Sequence, residues 1–170
     1  GVPVFWGNAE SGASVDVLAF LDGKSHAMVQ AYLHDEKVTI TGGNVQPPVD
    51  DPDAYDGDIV QAGFALGAAA ETAHAAVVSA LPSVWTSAHR GDGVTSGYLI
   101  KQLVKEKRFI ERYPQGDNVV LSAVFDMQLC FDPRGVGHDI DDEGTWAWTD
   151  NPILHLLHYL VVREGYDYAA

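Results

Sequence analysis

Phe131-Asp132-Pro133-Arg134 is followed, beyond an acidic loop, by Trp146-Ala147-Trp148-Thr149-Asp150-Asn151-Pro152-Ile153-Leu154-His155-Leu156-Leu157-His158-Tyr159-Leu160. The run reads as a strand end, a loop and a capped helix start. Proline has no amide to give a ladder, so Pro133 ends the strand. Asn151 is a good N-cap, and Pro152 suits the first helical position, where no donor is needed. The residue before a proline avoids the helical region, which also fits a cap. Ile153, Leu156, Leu157, Leu160 and Val161 recur at helical spacing and predict one apolar stripe that docks on a sheet. Burying five such side chains contributes roughly 1.5–3 kcal/mol each before entropy is subtracted. Arg163 suits the negative helix end and Gly165 the stop.

Working outward, residues 118–131 predict a long strand, bent near Asp126. Alternation predicts strands over 15–21 and 28–33, and β-branched residues another over 37–41, together an antiparallel meander with a turn at His34-Asp35-Glu36. Residues 42–58 hold three prolines and five aspartates between Asp50 and Asp58, a composition for a loop. Residues 59–66 predict a short strand, and alanine-rich 68–80 a helix stopped by Pro82. Residues 98–109 fit either period; alternation of Tyr98, Ile100, Gln102 and Val104 against Leu99, Leu103 and the lysines favours a strand.

The totals bound the function. At 170 residues the chain suits one domain, with room for an inserted subdomain over about 42–97. Its start, Gly1-Val2-Pro3, carries no basic segment or apolar signal core, and suggests a piece of a longer protein. No apolar run is long enough to span a bilayer as a helix. A net charge of −14 disfavours nucleic acid and anionic lipid, which need clustered Lys and Arg. The basic residues are scattered apart from Lys101, Lys105, Lys107 and Arg108. Cys130 is the lone cysteine, so no internal disulfide or paired-cysteine zinc site forms.

The motifs that bear on chemistry are incomplete. His138-Asp139-Ile140-Asp141-Asp142-Glu143-Gly144 offers oxygen ligands but lacks the glycine and distal glutamate of a calcium loop; a solvated acidic loop suffices. The Asp50 to Asp58 loop is weaker still. His155 and His158 stand three apart without the glutamate of a metalloprotease helix, and read as ordinary histidines. Gly23-Lys24-Ser25 has Leu18 where a phosphate loop needs glycine, and Ser96 lies one place too late in Gly93-Val94-Thr95-Ser96-Gly97 for a nucleophile elbow. Cys130 reads as a buried, inert thiol. Phe5-Trp6, Trp146 and Trp148 suit core closure or an interface. No catalytic, cofactor-binding or metal residue is assigned, and an enzyme is not supported.

Several landmarks, in order, resemble the hub or tip attachment (host-specificity) proteins of long-tailed bacteriophages and related gene-transfer particles. They are Leu33-His34-Asp35-Glu36-Lys37-Val38, Leu66-Gly67 before the alanine-rich stretch, Trp85-Thr86 with His89-Arg90-Gly91, Phe131-Asp132-Pro133-Arg134, and Trp148-Thr149-Asp150-Asn151-Pro152-Ile153-Leu154. The insert over 135–144 is more acidic than the family pattern, and His155 and His158 stand where the family carries apolar or acidic residues.

The resemblance implies a virion structural protein of the tail tip (the baseplate hub), made in the host cytoplasm and assembled as a homotrimer. It would join the tail tube to fibre or receptor-binding proteins and border the DNA exit channel, without specific nucleic-acid binding or membrane insertion. The expectation is therefore an α+β domain, mainly antiparallel sheet, with an alanine-rich helix and a C-terminal amphipathic helix packed on the sheet. The alternatives are a receptor- or glycan-binding module using Trp6 and Trp146, and a metal-assisted hydrolase using His155, His158 and nearby acids.

Overall fold

The computed structural model describes residues 1–116, 118–127 and 129–167. Their contacts divide the chain into two compact units, Gly1–Phe125 and Asp126–Ala170. The boundary falls at the end of a strand, and residues 42–97 lie within the first unit.

The first unit is built on β1 (Val2–Asn8), β2 (Ser14–Asp22), β3 (Ala27–Leu33), β4 (Glu36–Thr41), β5 (Asn44–Gln46), β6 (Val60–Leu66), β7 (Val94–Lys101) and β8 (Leu121–Asp126). They form one sheet in the order β1-β2-β7-β6-β5-β4-β3-β8. The pairs from β1 through β3 are antiparallel. The class is thus α+β and mainly antiparallel, as the patterning predicts. The meander is β3-β4-β5-β6; β2 does not join it, pairing instead with β1 and β7. His34 and Asp35, both at positive φ, form the two-residue turn between β3 and β4, whose ends pair Leu33 with Glu36.

Alternation along β7 explains the core. Leu99 packs with Leu33, Val45, Val60 and Leu121 on one face. Tyr98 and Ile100 pack with Val15, Val17, Val77 and Leu81 on the other. Phe125 of β8 lies 5.3 Å from the Phe20 ring of β2 and 5.7 Å from Phe64 of β6. Those strands are far apart in the order, so the sheet curls until its end meets its other half around the first core. Gly67, at φ +76°, is fixed by this crowding: a Cβ there would sit 2.7 Å from the Gly23 carbonyl and 2.8 Å from the Thr95 amide.

Three expected elements differ. The alanine-rich helix α1 is only Ala75–Ala80. Before it, the Glu71 carboxylate accepts from the amides of Ala68 and Thr72, and the Glu71 amide donates to Asp92, so side chains take bonds that a helix needs. The strand expected over 98–109 stops at Lys101, because both neighbours end there: Lys101 pairs with Ser14 and with Val60. The chain continues as a 3-10 turn, Glu106–Arg108, and α2, Phe109–Arg112. Within the expected 42–58 loop, Asn44–Gln46 forms β5. The rest of that acidic loop is held by the buried Arg112, which donates to the Asp53 carbonyl (3.0 Å) and the Asp56 carboxylate (2.5 Å).

Leu99→Ala is expected to cost about 2–5 kcal/mol by leaving a cavity between strands. Leu103→Ala, at 76% exposure, should stay within about 0.5 kcal/mol. Urea midpoints of the two variants check this; equal midpoints would contradict the core assignment.

Candidate functional site

The motif-rich second unit starts where the expected 118–131 strand breaks. β8 ends at Asp126, and β9 is only Leu129–Cys130; Asp117 and Gln128 lie outside the described residues. β9 pairs antiparallel with β10 (Ala147–Trp148), Cys130 opposite Ala147 and Leu129 opposite Trp148. This pairing brings together the segments that follow each strand. After β9, the Asp132 carboxylate accepts from the Arg134 backbone amide (2.9 Å) and from Nε and Nη2 of its guanidinium (2.9 and 2.8 Å). These bonds from Arg134 hold the carboxyl down at about 2. The Asp-Pro-Arg run is therefore a self-closed turn.

After β10, the Asn151 side chain accepts from the Ile153 amide at 3.0 Å and starts α3 (Pro152–His158), as expected. The helix then widens into a π turn, Tyr159–Arg163, and stops before Gly165 at φ +72°. α3 touches β9 of the two-stranded sheet. The apolar stripe is a correction: Ile153 and Leu156 are 68% and 53% exposed. The buried positions are Leu154 and His158, with Leu157 and Val161 half-buried. Counting apolar residues rotated the helix, because two histidines belong to the inner face.

Those histidines have different surroundings. His155 Nε2 donates to the Thr149 carbonyl at 2.8 Å, which leaves Nδ1 facing the Cys130 Sγ at 3.3 Å. Burial pushes the Cys130 thiol up, away from the thiolate a nucleophile needs. His158 is 4% exposed, and neither ring nitrogen has a hydrogen-bond partner among the described residues. Its ring meets Trp146 edge to face at 4.8 Å. Burial pulls its pKa down, Arg163 and His155 add to this, and Glu143 opposes it.

The acidic loop over 138–144 is tied up by its own backbone. Asp139 accepts from the Asp141 amide, Asp142 from the Gly144 amide, and the Trp146 indole donates to the Asp139 carbonyl at 2.8 Å. Among the described residues no group of three His, Cys, Asp or Glu side chains is placed to hold a metal.

In the first unit, Ser96 Oγ lies 3.1 Å from His74 Nε2. Burial lowers the His74 pKa, with Glu71 opposing. Both line a cavity of about 390 Å³ with Trp85, and Trp85 stacks on His89 at 4.8 Å. Ser96 stands mid-strand, paired with Ala19 and Ala65, not on the sharp turn that presents a catalytic serine. Sequence reading could not find this pair, since nothing local links two residues in different elements. Trp85-Thr86 and His89 do form one knot, with the Thr86 amide donating to His89 Nδ1 at 3.0 Å.

His158 makes stability pH-dependent. Its folded pKa lies below the ordinary 6.5, so the unfolded chain binds the proton first. Its stabilising contribution is complete above about pH 6.5 and is lost as pH falls through the folded value. Going from pH 7.5 to 5.5, wild type should lose more unfolding free energy in urea than His158→Phe. Equal losses would contradict a neutral, buried ring. No protein-family model matches this chain, and no curated protein matches its sequence.

Proposed function

We propose that this chain is a structural domain of the hub at the distal end of a long phage tail or related gene-transfer particle. It acts there as one of three copies, joining the tail tube to receptor-binding parts. The observation that carries this reading is the ordered set of landmarks, and above all its last two. Phe131-Asp132-Pro133-Arg134 follows β9, Thr149-Asp150-Asn151-Pro152 follows β10, and the two strands are paired. The motifs are thus conformational: one closes a turn by an internal ion pair, the other caps a helix. Residues that build turns and caps suit a scaffold.

The charge agrees with a place beside passing DNA. At −14 the chain repels a polyanion, so DNA slides past without adhering. The acidic loops over 50–58 and 139–143 are the parts for such a lumen.

Antibodies against this chain should place gold label on the tail end opposite the capsid of intact particles. Label on capsids, or on no particle, would refute the hub reading. An electron-microscopy map of the tip should show three copies around the tail axis with those loops inward; loops facing outside solvent would remove the lumen role.

A further inference from the structure

The first unit carries a cleft of about 450 Å³ beside the edge strand β1. Its position follows from a β-bulge. The register between β1 and β2 slips between Pro3 and Phe5, which turns Phe5 toward Val17 and the second core. Trp6 is thereby sent to the opposite face, across from Asp16, which in turn pairs with Leu99 of the first core. Asn8, Ser14 and Lys101 form the next row on that same face.

The result is an indole, 67% exposed, at a cleft lined partly by polar side chains and partly by the rim of the first core. Gln102 and Asn118 complete the polar lining, and Phe109 and Tyr113 add aromatic surface. The Tyr113 hydroxyl donates to the Gln102 carbonyl at 2.8 Å, which fixes the Gln102 backbone while its side chain stays available. Among the described residues, the side-chain amides of Asn8, Gln102 and Asn118 make no hydrogen bond. Lys101 in the cleft wall is neutralised by Asp16, 3.1 Å away.

A broad aromatic face with unspent neutral donors and acceptors around it matches one ligand chemistry. A pyranose ring offers an apolar C–H face for the indole and a rim of hydroxyls for amides and Ser14. The volume lies within the range of small-molecule sites, about 300–1,000 Å³. The chain's net charge of −14 disfavours acidic sugars. We propose that this cleft binds a neutral saccharide unit, stacked on Trp6 and hydrogen-bonded by Asn8, Ser14 and Gln102. Trp146 is not an equivalent platform: its indole N–H is spent on the Asp139 carbonyl and its ring is packed on His158.

The whole chain should be applied to a printed array of neutral and acidic oligosaccharides that spans gluco-, galacto-, manno-, rhamno- and N-acetylhexosamine units. The best-bound neutral glycan should then be titrated by ligand-observed NMR against wild type, Trp6→Ala, Trp6→Phe and Asn8→Ala. Capture of a neutral glycan is expected, weakened about tenfold or more by Trp6→Ala and largely kept by Trp6→Phe. Trp6→Ala should melt close to wild type, since that side chain is mostly in solvent. No neutral glycan captured, capture of acidic glycans alone, or unchanged affinity in Trp6→Ala would each overturn the proposal. The inference does not rest on the hub reading, and gold labelling can fail while glycan binding succeeds, or the reverse.

Discussion

The two-sided burial of β7 is the constraint on which the first unit depends. Six consecutive residues, Thr95 to Ile100, are buried, alternately serving two cores. A strand in that position admits no charge and tolerates no register slip, since one step would exchange the two faces. Its neighbours obey the same demand: Val15 and Val17 of β2 face one core, and Val60 and Ala62 of β6 face the other. The buried threonine and serine of β7, Thr95 and Ser96, are engaged. The Thr95 hydroxyl reaches the Gly23 carbonyl and Ser25, both at 2.8 Å, and Ser96 meets His74. These two hydroxyls are tolerated in the layer because each has a partner.

The second unit is organised on a different principle. Among the described residues it has two strands of two residues each, a 3-10 turn and a short helix continued by a π turn, too little surface for a large core of its own. Local polar closure supplies the order: an ion pair across one proline, a cap before another, and carboxylates folded onto adjacent amides. Each of these closures finds its partner two positions away, and sequence reading picks out the Asn151 cap among them.

That distinction explains what was legible. The strands over 15–21 and 28–33 follow from alternation, that over 37–41 from its β-branched residues, and the Asn151 cap from its neighbours. The helix over 68–80 shrank because Glu71 and Asp92, far apart in sequence, outcompeted alanine's propensity. The end of β7 at Lys101 was invisible, since it is set by where β2 and β6 stop. The face of α3 was misread because a histidine bound to Thr149 and another packed on Trp146 do not score as apolar. The cleft at Trp6 draws on residues spread from β1 to Asn118, which only the folded sheet makes neighbours.

The position of β1 at the rim has its own consequence. Val2 and Val4 are 69% and 59% exposed on a strand that has one unsatisfied side. Such a margin invites further chains to add on, the first step of fibrous aggregation. Pro3 lacks the amide that an incoming backbone would seek, and the slip beside it breaks the straight template within the strand. The same irregularity that swings an indole over the cleft therefore also guards the molecule against polymerising on itself.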